Sequence, residues 1–255
     1  MKLGQITSYI DVAQVTLYVF LGFFVALMVY IRREDRREGY PLFSEPSNTY
    51  KSGDFFFIPP PKVFRLPHGG TASSPSGKVD SRDLRAAKVE PWPGAPLAPI
   101  GDPMLAAVGP GSYAERSNTA DLTHEGVPKI VPLRVATNFY LETRDPDPRG
   151  LTVYGADGAV GGTVRDVWVD RSEVLIRYLE VEVTGGKSVL LPINFARVDG
   201  RRGRVSVKAI MGHHFAQVPA LANANQVTLL EEDKIVAYYG GGTLYADPSR
   251  QEPLF

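Results

Sequence analysis

The sequence predicts a single N-terminal transmembrane α-helix carrying a mainly β cytoplasmic domain, with one further helix in the C-terminal region. Three observations lead there. Residues 12–31 form an uncharged apolar run, short β-branched and alternating segments recur from residue 128 onward, and Thr228 and Glu231 stand at capping-box spacing.

The composition sets the limits. With 255 residues and 44% apolar side chains, the chain can bury one good core. The formal net charge is zero, so no global pull toward nucleic acid is expected, and no nucleic-acid partner. The absence of cysteine excludes disulfides, thiolate metal sites and cysteine nucleophiles, and fits a reducing compartment. Counts of 25 glycines and 21 prolines favour strands, turns and extended connections.

As a helix, residues 12–31 would extend about 30 Å, the thickness of a bilayer's hydrocarbon layer. Tyr9 and Tyr30 stand near its ends, where amphipathic rings favour the headgroup region. Gln14, Thr16 and Gly22 suggest a face meant for another helix. A cleaved signal peptide places its basic residues before the apolar run. Here only Lys2 precedes it, and Arg32, Arg33, Arg36 and Arg37 follow it. The positive-inside rule then sets residues 1–11 in the periplasm and everything after residue 31 in the cytoplasm. Arg32 and Arg33, beside Tyr30, are expected to meet anionic lipid headgroups.

Residues 32–127 read as an irregular, Pro/Gly-rich segment along the membrane face. Phe55-Phe56-Phe57-Ile58-Pro59-Pro60-Pro61 forbids regular helix, and its aromatic density implies contact with a surface. Residues 71–83 read as a mobile surface loop, and residues 91–113 as an ordered but irregular strap.

Residues 128–255 read as the β domain. Ile130 to Ala136, Leu151 to Tyr154, Gly162 to Asp170, Val174 to Val183, Ser188 to Pro192 and Arg204 to Ile210 are strand candidates, with a turn at Gly185-Gly186. Such short, closely spaced strands suggest a small closed or half-closed antiparallel barrel. A helix is expected near residues 229–239. Glu231, Glu232 and Asp233 supply negative charge at its start, Ile235, Val236 and Tyr239 its buried face, and Gly240-Gly241-Gly242 its stop.

No HExxH, P-loop or GxSxG motif is present, and the four histidines do not cluster. His68-Gly69-Gly70 can imitate an oxyanion loop but has no nucleophile elbow to serve. His213-His214 reads as a surface or interface pair. The acids are more informative. Asp170 and Glu173 flank a turn between two strands, with Arg177 one register further along. In isolation that is a solvated hairpin tip with a local ion pair. Covered by a membrane partner, its carboxyls would be desolvated and poised to exchange protons. His124-Glu125 forms a second titratable pair in a loop.

Several separate segments carry a family likeness in one order. They are Arg32-Arg33-Glu34-Asp35-Arg36-Arg37-Glu38-Gly39-Tyr40-Pro41-Leu42, Leu66-Pro67-His68-Gly69-Gly70, Gly101-Asp102-Pro103 with Val108-Gly109-Pro110, Lys129-Ile130-Val131-Pro132-Leu133, Asp166-Val167-Trp168-Val169-Asp170 and Leu230-Glu231-Glu232-Asp233-Lys234. Along nearly its whole length the chain resembles the H subunit of the purple bacterial photosynthetic reaction centre. Its strand region resembles a PRC-barrel.

The resemblance implies a non-enzymatic subunit without pigment of its own, in the bacterial inner, photosynthetic membrane. It would cap the L and M subunits, support their assembly, shield the quinone sites and relay protons to the secondary quinone. L and M would hold the bacteriochlorophyll, bacteriopheophytin, quinones and non-haem iron. A cytochrome subunit and a core antenna ring would be further neighbours. By the same resemblance Glu173 matches the relay glutamate, Asp170 the nearby acid, and the His124-Glu125 loop the surface entry. Two other readings stand beside this one: a membrane-tethered PRC-barrel adaptor recruiting cytoplasmic proteins, and a membrane-anchored hydrolase lacking a recognisable nucleophile.

Overall fold

The computed structural model describes residues 6–7, 11–51, 58–77 and 80–251. Lys2, Tyr9 and the Phe55-Phe56-Phe57 run lie outside the described residues. The chain divides into two compact units, Met1–Asp80 with Trp92–Gly94, and Ser81–Pro91 with Ala95–Phe255.

In the first unit, helix α1 spans Val12–Glu34. Asp11 caps it by accepting the Gln14 N–H at 2.7 Å, and Arg32 and Arg33 sit in the last turn, where the helix dipole favours cations. The helix runs three residues past the expected end because its arginines and Glu34 continue the same backbone. None of its residues is buried within the chain, as an apolar helix that anchors the protein in a membrane requires. Its polar groups are satisfied locally: Thr16 Oγ1 donates to Val12 O at 2.8 Å, and Gln14 Nε2 to the Tyr18 hydroxyl at 3.0 Å. At the helix end Glu34 accepts from Arg37 Nε at 2.9 Å and pairs with Lys62.

Two hairpins follow, so this region is less irregular than its composition suggests. Strands β1 (Leu42–Ser44) and β2 (Thr49–Lys51) pair antiparallel and set the Phe43 and Tyr50 rings 5.2 Å apart. Strands β3 (Lys62–Arg65) and β4 (Thr71–Ser74) do the same. The expected mobile loop therefore begins as a strand. Gly69 (φ +95) and Gly70 (φ +83) close a turn that returns residues 71–74 to β3, and this accounts for the His68-Gly69-Gly70 motif.

In the second unit, β5 (Ala86–Lys88) and β6 (Leu97–Pro99) make a further hairpin. The main sheet has seven strands: β7 (Ile130–Pro132), β8 (Thr152–Tyr154), β9 (Val160–Asp170), β10 (Leu175–Glu182), β11 (Ser188–Pro192), β12 (Ala196–Asp199) and β13 (Arg204–Val207). Their order is β11-β10-β9-β8-β13-β12. The eleven-residue β9 organises it. Its first half pairs with β8, its second half with β7 on the same edge, and β10 lies along the other edge. All pairs are antiparallel except β8 with β13, which four intervening strands bring back in the same direction. Strand β7 stops earlier than expected. Pro132 is its last residue, and the Pro132 carbonyl turns to accept from Val135 and Ala136.

Helix α2 (Leu229–Tyr245) starts as expected: Thr228 Oγ1 accepts the Glu231 N–H at 3.1 Å, and Glu231 accepts the Thr228 N–H at 2.8 Å. Its buried face differs from the expected one. Ile235 and Tyr239 are fully enclosed and Tyr238 joins them, but Val236 is exposed because it lies about 100° further round. The glycine triplet does not stop the helix. A Cβ at Gly240 would come within 2.7 Å of Pro110 O, and one at Gly242 within 2.4 Å of Ile210 Cγ2. These glycines let neighbouring backbone pack against α2, which continues to Tyr245.

Candidate functional site

The turn from β9 to β10 is tied down by one carboxylate. Asp170 is the last residue of β9 and almost fully buried. Its Oδ1 accepts the N–H groups of Ser172 (2.9 Å) and Glu173 (3.0 Å), and its backbone carbonyl accepts the Val174 N–H at 2.9 Å. Because β7 pairs with β9 in the register Ile130↔Asp170, Lys129 is delivered beside this turn. Its Nζ lies 3.2 Å from Glu173 Oε1, 3.4 Å from Asp170 Oδ2 and 3.9 Å from Asp121 Oδ2. Partial burial pulls the Lys129 pKa down. The hydrogen bond to Glu173 and the Asp170 charge outweigh it, so the ammonium is held above the ordinary lysine value.

Lys129 and Asp170 line an open cleft of about 550 Å³ whose other walls come from β10 and α2. Across it, Glu232 is 8% exposed and accepts the Tyr178 hydroxyl at 2.8 Å. Arg177 Nη2 approaches the same Glu232 oxygen at 3.9 Å. Burial pushes the Glu232 carboxyl above the usual carboxylate range, against the opposing pull of Tyr178, Arg177 and Arg116. The Tyr178 phenol is pushed up as well, by burial and by the Glu232 charge. Arg116 and Asp233 form a further pair at 3.4 Å on the rim.

Glu173 and Asp170 are thus brought together, by the Glu173 N–H on Asp170 Oδ1 and by the Lys129 ammonium that their carboxylates share. Arg177 faces Glu232 instead of the turn. His124 and Glu125 occupy an exposed tip closed by Thr123 N–H to Val127 O at 2.8 Å. The nearby Thr123 hydroxyl and its own backbone N–H hold the Glu125 carboxyl below its usual range, with smaller help from His124 and Arg171. Arg171 ties this loop to the β9–β10 turn: its side chain donates to Pro128 O and its N–H to Lys129 O at 2.9 Å. Tyr30, Arg32 and Arg33 lie exposed on the last turns of α1, with the Lys62 ammonium 5.9 Å above the Tyr30 ring.

Lys129, Tyr178 and Glu232 were not anticipated as site residues. Glu232 reads as helix-start charge, yet Glu231 alone does the capping, and the next side chain turns inward. Among the described residues no group of three or more His, Cys, Asp or Glu side chains is arranged to hold a metal ion.

Residues 4–135 match the family model of the photosynthetic reaction centre H-chain, N-terminal region, and residues 142–213 match the PRC-barrel domain. A 56-residue stretch is 43% identical to an uncharacterized protein of Deinococcus radiodurans, covering 21% of this chain. The chain spans only 20% of the length of that relative. The H-chain match alone takes in more than half of the chain and includes α1, both hairpins of the first unit, Lys129 and β7. This chain belongs to the photosynthetic reaction centre H-chain family and carries that family's N-terminal region together with a PRC-barrel.

Proposed function

We propose that this chain caps the pigment-binding L and M subunits on the cytoplasmic side of a bacterial photosynthetic membrane, supports their assembly and shields the quinone sites, and that it relays protons from the cytoplasm to the secondary quinone. Membership of the H-chain family supports reading it as a non-enzymatic subunit without pigment of its own that associates with other reaction centre subunits. In this reading α1 is the single span with its N-terminus in the periplasm, and Tyr30, Arg32 and Arg33 meet anionic headgroups.

One observation carries the relay: carboxylates of unlike environment lie in one cleft and at its edge, with Glu173 joined to it through Lys129. Glu232 is buried with a raised pKa, Asp170 is buried with both oxygens facing donors, and Glu173 is half exposed on Lys129. Proton delivery to a site closed to bulk water needs groups within one hydrogen bond or one water of each other, some able to accept near neutral pH. Glu173, with one oxygen on Lys129 and its flank in water, is the member that exchanges with solvent. Asp170 holds the turn that positions it. Arg177 sets the charge around Glu232, and His124 and Glu125 lie on the loop that Arg171 tethers to this turn.

The test is Glu173→Gln in the intact, detergent-solubilised complex. Proton uptake coupled to the second electron is expected to slow markedly while the initial charge separation is unchanged. Unaltered turnover removes Glu173 from the relay. Purification without bacteriochlorophyll absorption in the near infrared removes the capping role.

A further inference from the structure

Four clefts on the second unit each carry carboxylates in their walls. A fifth, of about 630 Å³, lies between the β12–β13 hairpin and the C-terminal end of α2. Its walls hold three cations, Arg197, Lys208 and Arg250, and no carboxylate.

The backbone sets this up. Strands β12 and β13 pair with Arg197 opposite Ser206. Val205 and Val207 are buried, and Ala196 and Val198 pack on the core, so strand alternation turns Arg197, Ser206 and Lys208 to the outer face. Arg250 is fixed beside them by three carbonyls. Its Nη1 donates to Gly242 O at 2.8 Å and to Ala209 O at 2.9 Å, and its Nη2 to Lys208 O at 3.0 Å. Among the described residues, none of the three cations forms an ion pair. The acids nearest in sequence are engaged elsewhere. Asp199 accepts the Arg202 N–H at 3.1 Å and pairs with its guanidinium at 3.8 Å, while Asp247 accepts the Ser249 N–H at 2.9 Å.

Like charges gathered on one cleft repel each other until an anion neutralises them. An arginine fork suits phosphate, which it can grip with two parallel hydrogen bonds. The cleft also has an aromatic wall. The half-buried Phe195 ring stacks on the enclosed Tyr239 ring at 5.6 Å and 24°, which makes it a rigid platform of the kind on which a nucleobase rests. A cleft of this size suits a small organic ligand better than a lone ion.

We propose that this cleft binds a soluble nucleoside diphosphate, with Arg197, Lys208 and Arg250 on the phosphates, the Ser206 hydroxyl between them and the base against Phe195. Such a ligand would bridge the β12–β13 hairpin to the end of α2. The site shares only Phe195 with the cleft that holds Asp170 and Glu232, and it is independent of the capping reading.

The test titrates the full chain, in non-ionic detergent, with ADP by calorimetry. The wild type should bind one ADP per chain and melt at a higher temperature with it. Arg197→Gln and Lys208→Gln, both at exposed positions, should keep the ligand-free thermal midpoint and each weaken ADP roughly tenfold, the loss of one charge-assisted contact. If one of them melts low without ligand, the other carries the test. Arg165→Gln makes the same charge change on other walls of this unit and should leave the affinity within about twofold. Pyrophosphate alone should bind roughly tenfold more weakly than ADP, because it cannot stack. Absence of ADP binding by the wild type overturns the site, and so does wild-type affinity in both variants. An equal loss in Arg165→Gln reduces the effect to general charge and overturns it. Pyrophosphate binding as tight as ADP removes the nucleoside from the proposal. Phosphatidylglycerol added to the micelles that reproduces the midpoint rise and abolishes ADP binding makes the source a lipid headgroup, and overturns it as well.

Discussion

The Tyr178 hydroxyl donates to Glu232 Oε2 at 2.8 Å, joining a buried position of β10 to the first turn of α2. This bond makes a buried carboxylate tolerable, and it sets a pH dependence. Burial raises the folded-state pKa of Glu232 above its unfolded value. Between those two values the folded state binds the extra proton, so this group's contribution is full below the unfolded pKa and is lost as pH rises through the folded one. In Glu232→Gln that loss disappears. The variant, measured as full chain in detergent, is expected to gain stability relative to wild type as pH is raised from 4 to 8. Tyr178→Phe leaves the carboxyl without its donor and should cost about 1–3 kcal/mol near neutral pH. Equal thermal midpoints of wild type and Glu232→Gln across that range count against the assignment.

Lys129 is the cation that three carboxylates share. Lys129→Met leaves Asp170, itself almost fully buried, facing an uncharged chain. The two N–H groups of the turn still reach Asp170, so the expected loss is about 3 kcal/mol rather than more. Chemical denaturation of the variant, followed by tryptophan fluorescence of buried Trp168, checks this.

The parts of this architecture that were legible in the sequence are those whose signal is local. The apolar run, the alternation of residues 162–170 and the Thr228–Glu231 spacing each write one element over a few residues, and α1, β9 and the start of α2 follow them. Strand β12 escaped notice because its four residues follow a tight turn at Ile193–Phe195 and alternate only weakly. The site was legible only at Asp170, Arg177 and, at its edge, Glu173. Lys129 reaches it through β7–β9 pairing across some forty residues, and Glu232 through the docking of α2 on β10, and neither long-range relation leaves a periodicity to read.

The glycine triplet shows the same limit from the other side. Gly-rich sequence at a helix end usually marks a stop, but α2 runs through it. Replacing glycine by alanine inside a helix normally stabilises by about 1 kcal/mol. At Gly242 the new methyl would meet Ile210 Cγ2 at 2.4 Å and Ala209 O at 2.8 Å. Gly242→Ala is therefore expected to lower stability by about 1–3 kcal/mol despite its better helix propensity. A rise in the thermal midpoint would mean that α2 ends before this residue in solution.

Arg134 meets two acids that β9 and β10 place opposite one another. Asp166 and Glu180 are cross-strand partners, both nearly buried, and Arg134 Nη1 lies 3.0 Å from the first and 2.5 Å from the second. Trp168 Nε1 also donates to Glu180, at 3.0 Å. Two carboxylates paired in this way repel each other once their cation is removed, and neither can reach bulk water readily. Arg134→Met should cost about 2–4 kcal/mol, the lower end reflecting that the arginine is itself one-third exposed. The cause can be separated from lost packing. Adding Glu180→Gln to Arg134→Met removes one of the two stranded charges and should return part of the loss, whereas Glu180→Gln alone should destabilise. A double variant that is additive in denaturant midpoint would show that Arg134 serves by covering surface, with no electrostatic coupling to Glu180.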